Sequence, residues 1–112
     1  MHWHGLEIES YYDGVAGVGG MPGSLTPAIL PGDSFEMRIT PRRAGSYMYH
    51  THFNDIRQQS AGLYGGFVVL PAGAEWNPET DRVVLLSTGS DPDMSPLLNG
   101  SRTPDPITLR AG

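Results

Sequence analysis

The four histidines of this chain form two pairs, each with one residue between its members: His2 and His4, then His50 and His52. Successive side chains of a β-strand point to opposite faces, so each pair would place two imidazoles on one face. Neutral imidazole binds copper, zinc, iron and nickel, and histidine is the commonest metal ligand. Four imidazoles on two neighbouring strands therefore predict a transition-metal site.

Several kinds of site remain open from the histidines alone. They could be surface or core pairs without a metal, although two pairs that use every histidine argue against this. A closed four-histidine centre would leave no position for a substrate. A cupin-type enzyme would add an acidic ligand and a later single histidine, whereas here the second element is another pair. A multinuclear site that takes further ligands from another segment is the remaining alternative.

The composition of the chain restricts its possible fold classes and the kinds of partner that it can bind. The chain has 112 residues, enough for one small domain with a modest core, and contains 15 glycines and 10 prolines. Without a repeating period, these residues indicate the turns of an all-β chain. A net charge of -5 disfavours nucleic acid or anionic lipid as a partner. No apolar run has the length of a membrane helix, and the absence of cysteine excludes a thiolate ligand.

Hydrophobic periodicity predicts the elements that position the histidines. Alternation predicts that Met48, His50 and His52 share one strand face, opposite Tyr47 and its alternating neighbours. The stretch 9–33 is rich in glycine and proline and predicts a long loop. Strands are predicted over residues 1–8, 34–40, 46–52 and 82–87 and at the end of 62–70, with a helical turn within 53–61. The strand over 82–87 is predicted to be buried on both faces, because four consecutive residues are apolar.

Four segments in order resemble the motifs of multicopper oxidases. The first is MHWHG, followed by Asp13-Gly14, and the second is TPAILPGD. The third, AGSYMYHTH, resembles the strand that carries the second ligand pair in that family, and GLYGGFVVL resembles the strand after it. The resemblance covers residues 1–71 well and continues loosely beyond them. Each motif alone is moderately specific, but their order and spacing together are distinctive.

The resemblance implies a fold and a domain organisation. The expected fold is an antiparallel Greek-key β-sandwich, cupredoxin-like and incomplete. Residues 1–71 would be a partial first cupredoxin domain, 72–80 a connector, and 81–112 the beginning of a second cupredoxin domain. The expected chain is a fragment of a longer protein, truncated at both ends. We expect such a fragment alone to be inactive.

The resemblance also implies roles for individual residues. In this family, histidines of the first and last domains jointly bind a three-copper cluster. His2 would bind the type 2 copper, His4 and His50 one type 3 copper, and His52 the other. Asp13 resembles the acidic residue near the type 2 copper, where it would relay protons as dioxygen is reduced to water. Asp13-Gly14 also has the composition of a tight turn, and both interpretations can hold.

The chain departs from the complete family pattern in ways that shape the prediction. It has no His-Cys-His motif for a type 1 copper and lacks the second set of cluster histidines. The resemblance implies that the parent is a laccase-like copper-dependent oxidoreductase, with the missing ligands in a C-terminal cupredoxin domain of the same or a neighbouring chain. Its substrates would be dioxygen and a phenol, amine or metal ion. The rival interpretations are a non-redox copper-binding module and a histidine-ligated zinc or iron enzyme of cupin type.

Further predictions concern the residues next to the histidines and the cellular location. Trp3 lies between two candidate ligands, faces away from them, and is interpreted as a packing residue. Arg57, Gln58 and Gln59 could line a solvent route or a domain interface, but a solvated turn is the favoured interpretation. The resemblance implies a periplasmic or secreted parent, although the chain itself contains no signal peptide. By the same resemblance, the reducing substrate would bind near the type 1 site, outside this chain. Trimeric two-domain and monomeric three-domain parents both occur in the family, and both alternatives stay open.

Overall fold

The computed structural model describes residues 1–109, and their regular structure consists mainly of short antiparallel strands. Residues 110–112 of the expected second domain lie outside the described part. A 3-10 turn spans Ser10–Tyr12, and one helix, α1, spans Asp55–Ser60. The strands are β1 (His2–His4), β2 (Gly20–Met21), β3 (Ser24–Leu25), β4 (Gly45–His50), β5 (Tyr64–Val69), β6 (Leu86–Thr88) and β7 (Pro96–Leu98).

The largest sheet has the order β1-β4-β5 and carries three of the histidines. His2 pairs with His50 and His4 pairs with Met48, so these four side chains share one face. The predicted strands over 1–8 and 46–52 are both shorter than expected. Gly5 has a φ of 85°, which turns the chain away after β1, and β4 ends at His50. The helical turn predicted within 53–61 is confirmed by α1, and β5 confirms the strand within 62–70.

The opposite face of this sheet is packed by aromatic rings. The ring of Trp3 lies 5.7 Å from that of Tyr49 and 6.1 Å from that of Phe67. Such separations are typical of favourable tilted and edge-to-face pairs. Gly65 leaves space for the Tyr49 ring, since a Cβ there would lie 2.3 Å from it. The interpretation of Trp3 as a packing residue is confirmed.

A buried threonine fastens the loop between β1 and β4. Thr26 is only 4% exposed, and its hydroxyl donates to the carbonyl of Tyr11 at 2.8 Å. Its backbone N–H donates to Gly19, and its carbonyl accepts from Gly17. The hydroxyl bond joins the 3-10 turn to the segment around Thr26. The loop predicted over 9–33 is therefore present, but it contains this turn and the small β2–β3 hairpin.

The strand predicted over 34–40 is wrong. Its residues alternate in hydrophobicity, but no described residue pairs with their backbone as a strand. Alternation fixes which faces the side chains occupy, whereas a strand also needs hydrogen-bonded neighbours. Phe35 packs instead against Tyr11 and Tyr12, with ring centroids 5.6 and 6.1 Å away.

The buried strand predicted over 82–87 is also wrong in its bounds and burial. The observed strand, β6, covers Leu86–Thr88 and pairs with β7 in a two-stranded hairpin. Val84 is 47% exposed and Leu86 is 82% exposed. Consecutive apolar residues are buried on both faces only when a layer packs on each side. The described residues provide no such second layer around this hairpin.

The fold is all-β and incomplete, as predicted, with one short helix. No apolar side chain within residues 1–109 is buried, and the Cα radius of gyration is 16.8 Å. A compact domain of 100 residues would have a radius of gyration of about 13 Å. Within the same range, no helix is long and apolar enough to cross a membrane. The Greek-key connection and the division into residues 1–71, 72–80 and 81–112 remain predictions.

The β6–β7 hairpin is expected to loosen in acid. Ser95 donates its hydroxyl to Asp91 at 2.8 Å, and the Arg102 guanidinium lies 2.6 Å away. The hydrogen bond from Ser95, with the Arg102 charge contributing less, lowers the pKa of Asp91 below its ordinary 3.8. Because the pKa of Asp91 is lower in the folded state, its ionised carboxylate stabilises the hairpin. This stabilisation is complete above the unfolded pKa and is lost as the pH falls through the folded pKa.

Amide hydrogen exchange at Gly89, whose N–H donates to the Ser95 carbonyl, measures this loosening. We expect the Gly89 amide to be protected at neutral pH and its protection to decline as the pH falls below 3.8. Asp91→Asn should lower the protection at neutral pH and remove most of this decline. Asp93→Asn, at an exposed neighbouring position, is the control. Protection at Gly89 that is unchanged by Asp91→Asn would contradict the prediction.

Candidate metal centre

Three of the predicted ligands converge on one face of the main sheet. One nitrogen from each of His2, His4 and His50 lies within 4.8 Å of the other two. The closest approach joins His4 Nδ1 and His50 Nε2, which are 3.2 Å apart. The convergence follows from the antiparallel register, which places His2 directly opposite His50. The sequence spacing therefore produces a cluster of nitrogen donors.

The spacing of these donors fits a transition metal. Imidazole nitrogens bind such ions at about 2.0–2.1 Å, so two of them at a near-tetrahedral angle lie about 3.3 Å apart. The observed separation between the nitrogens of His4 and His50 is 3.2 Å. Nitrogen donors without thiolate suit copper, zinc, iron or nickel. The donor set thus fits copper, although it does not by itself select copper over zinc.

His2 is oriented from behind by the Asp13-Gly14 turn. Its Nδ1 lies 2.9 Å from the carbonyl oxygen of Asp13 and 3.3 Å from a carboxylate oxygen of the same residue. Because both oxygens accept, Nδ1 carries the proton and Nε2 presents a lone pair. Gly14 has a φ of 83°, which allows the turn to approach β1 closely. Such a carboxylate or carbonyl behind a ligand imidazole is typical of metal sites.

His50 has the same arrangement with a different acceptor. It is 9% exposed, and its Nδ1 lies 2.7 Å from the carbonyl oxygen of Thr51. A carbonyl can only accept, so Nδ1 donates and Nε2 is left with a lone pair directed towards His4. The tautomers of His2 and His50 are therefore both set by backbone carbonyls.

His52 lies beside the cluster and outside its closest group. It follows the end of β4, is exposed, and has its ring centroid 5.4 Å from that of His2 and 6.1 Å from that of His50. It also borders an apolar groove of about 500 Å³. The structure thus brings three predicted ligands together and places the fourth next to them. Their roles as copper ligands remain predictions.

Sequence reasoning missed two residues that support the cluster. Gln58 was interpreted as part of a solvated turn, but it is half-buried, and its side-chain oxygen accepts from the Thr51 hydroxyl. Thr51 itself is 4% exposed. The only sequence signal for Thr51 was its position between two histidines. The alternation that places His50 on one face of the strand directs Thr51 to the other face.

Comparisons with known proteins identify relatives that share this motif region. A family profile described as "Multicopper oxidase" matches residues 1–74. A copper resistance protein A homolog of Pseudomonas syringae pv. tomato (strain ATCC BAA-871 / DC3000) is 32% identical over 83% of this chain and 15% of its own. An L-ascorbate oxidase of Brassica rapa subsp. pekinensis is 35% identical over 70% of this chain and 13% of its own.

A third relative extends the similarity over nearly the whole chain. The multicopper oxidase MCE of Talaromyces pinophilus is 33% identical over 93% of this chain and 15% of its own. No solved structure matches the chain significantly. The chain spans about one seventh of the length of the curated relatives it matches. The profile match covers more than half of the chain, and so the chain belongs to the multicopper oxidase family of copper-binding oxidoreductases.

Proposed function

We propose that this chain supplies the first-domain half of the three-copper cluster of a laccase-like multicopper oxidase. His2 would hold the type 2 copper, His4 and His50 would share one type 3 copper, and His52 would hold the other. The remaining ligands would come from a C-terminal cupredoxin domain of the same or a neighbouring chain. A periplasmic or secreted location of the parent protein is part of the proposal, because the family resemblance implies it.

The observation that carries the proposal is a cluster of nitrogen donors that hydrogen bonds support on one side and that is exposed to solvent on the other. Asp13 and Thr51 accept hydrogen bonds from His2 and His50 behind the cluster. His4 and His52, in contrast, are exposed at its front. An open front leaves room for ligands from a second domain, which a closed four-histidine centre would not need. The family membership and the names of the relatives support copper as the metal.

Bound copper would supply one-electron redox chemistry that couples oxidation of a phenol, amine or metal ion to reduction of dioxygen to water. The residues of this chain would hold the ligands and handle protons. The Asp13 carbonyl keeps the proton of His2 on Nδ1, which leaves Nε2 as the donor. The Asp13 carboxylate lies 3.3 Å from the same nitrogen and is 34% exposed. These two observations support a role in which it would pass protons from solvent towards the cluster.

Metal analysis and oxygen consumption in the intact protein test the proposal together. We expect copper in the purified protein and consumption of dioxygen when a phenolic substrate is added. Copper without oxygen consumption with phenol, amine or reduced metal-ion donors would favour a non-redox binding module. Zinc or iron in place of copper would favour a cupin-type enzyme. Either result would contradict the proposal.

Replacing Asp13 with asparagine should separate proton transfer from metal binding. The main-chain carbonyl that orients His2 is retained, so copper content should remain near that of the wild type. Loss of the carboxylate should slow dioxygen reduction by about 10²- to 10⁴-fold, the usual contribution of a positioned acid or base. Oxygen-electrode rates and copper content, measured on the same preparations, check this. Full turnover by Asp13→Asn would remove Asp13 from the mechanism.

A further inference from the structure

Thr51 lies between two proposed ligands, yet it is among the least exposed polar residues of the described chain. It is 4% exposed, and its hydroxyl accepts from the Phe53 N–H at 3.2 Å. The same hydroxyl donates its single proton to the side-chain oxygen of Gln58, with the Phe53 carbonyl at 3.1 Å as a second acceptor. Removing the hydroxyl would leave at least one of these partners without its bond.

Gln58 belongs to the segment 51–63, which folds back onto the end of β4 at Thr51. Its N–H donates to the carbonyl of Asn54, a residue held at a φ of 53°. Its carbonyl accepts from the N–H of Leu63 at 3.0 Å, and the carbonyl of Leu63 accepts from the N–H of Thr51 at 3.1 Å. The segment from 51 to 63 is thus closed by backbone bonds at one end and by the Thr51–Gln58 side-chain bond across it.

The consequence concerns the orientation of His50. The Thr51 carbonyl accepts from His50 Nδ1 at 2.7 Å, and the bonds of the Thr51 N–H and hydroxyl hold the residue that carries this carbonyl. That bond sets the ring so that His50 Nε2 lies 3.2 Å from His4 Nδ1. A different orientation of the Thr51 carbonyl would therefore change the direction of His50 Nε2 and its separation from His4 Nδ1. His2 is oriented independently of this segment, because its acceptor, Asp13, belongs to a different loop.

We propose that Thr51 and Gln58 are positioning residues that fix the imidazole of His50 for metal binding. Their side-chain hydrogen bond locks the Thr51 peptide, and the locked carbonyl holds His50 with Nε2 directed at the cluster. The hydrogen bonds that orient His50 do not depend on the proposed function. The effect on copper rests on the proposed function.

The test uses four variants of the intact protein. Thr51→Val removes the hydroxyl with little change in shape, and Thr51→Ser restores it. Gln58→Ala removes the acceptor but leaves the Phe53 carbonyl available to the hydroxyl. Gln59→Ala is the matched control on α1, because the side chain of Gln59 takes no part in this network.

Two measurements are made on each variant. Solvent exchange of the His50 Nδ1–H is followed by NMR in metal-free, ¹⁵N-histidine-labelled protein, with the His2 Nδ1–H as an internal reference. Copper affinity is then measured by competition with a chelator. We expect Thr51→Val to speed exchange at His50 alone and to weaken copper binding by about tenfold, within the range of indirect supports of metal ligands. Gln58→Ala should fall between Thr51→Val and wild type, while Thr51→Ser and Gln59→Ala should resemble wild type.

Two results would overturn the inference. One is unchanged exchange at His50 in Thr51→Val and Gln58→Ala. The other is equal acceleration at His2 and His50, which would indicate general destabilisation. A wild-type protein that binds no copper would instead refute the proposed function, while the exchange measurement would still decide the role of Thr51 and Gln58.

Discussion

Replacing His50 with alanine should reduce the copper content of the intact protein and abolish its dioxygen reduction. His50 is the most buried of the clustered histidines, and its Nε2 lies nearest to another donor, 3.2 Å from His4 Nδ1. Loss of an indirect support of a ligand typically lowers metal affinity 10- to 100-fold, so loss of the ligand itself should exceed about 100-fold at the affected position. Copper analysis and oxygen-electrode rates provide the measurement.

Tyr47→Phe is the matched control for this substitution. Tyr47 lies on the same strand but on the opposite face, where its hydroxyl donates to the Arg43 carbonyl at 3.0 Å. The Tyr47→Phe substitution should leave the copper content and the oxygen consumption unchanged. A His50→Ala protein with the full copper complement and normal turnover would show that His50 is no ligand. Equal losses in both variants would point to disruption of β4 instead.

Replacing Gly14 with alanine should disturb the turn that supports His2. Gly14 has a φ of 83°, and a Cβ at this position would lie 1.6 Å from the carbonyl oxygen of Met1. The left-handed backbone costs about 1–2 kcal/mol for a residue with a Cβ, and overpacking adds about 1–3 kcal/mol. The turn must therefore move away from β1 and take the Asp13 acceptors with it. We expect faster hydrogen exchange of the Asp13 amide and about tenfold weaker copper binding.

Gly17→Ala isolates the steric part of this effect. Gly17 has a similar φ of 74°, but nothing lies within 4 Å of the place that its Cβ would take. This control should show only the backbone strain and should leave copper binding near the wild-type affinity. Copper affinities that fall equally in both variants would mean that the contact between the turn and β1 does not support His2.

The parts of the site that follow from strand periodicity were predictable from sequence. A spacing of two residues places both members of a pair on one face, and the antiparallel pairing of β1 with β4 then brings His2 opposite His50. The Asp13-Gly14 turn was also predictable, because its residue types favour turns. Its contact with His2 was suggested by the family resemblance, since no local rule connects residues 11 positions apart.

The parts that failed depend on what lies next to a segment. The alternation over 34–40 is present, but no described strand pairs with it, and the apolar residues 83–86 lack a covering layer. Gln58 shows the converse case, because a polar residue in a polar segment gives no sign of a partner seven positions earlier. Sequence patterns specify the face and the period, whereas pairing and burial depend on tertiary neighbours.

A crystal structure of the copper-loaded intact protein, with anomalous differences collected at the copper absorption edge, would show which histidines ligate copper. We expect three copper peaks beside the main sheet. His2 would ligate one, His4 and His50 another, and His52 the third, each completed by ligands from outside this chain. A single copper enclosed by all four histidines, or no copper within bonding distance of them, would contradict it.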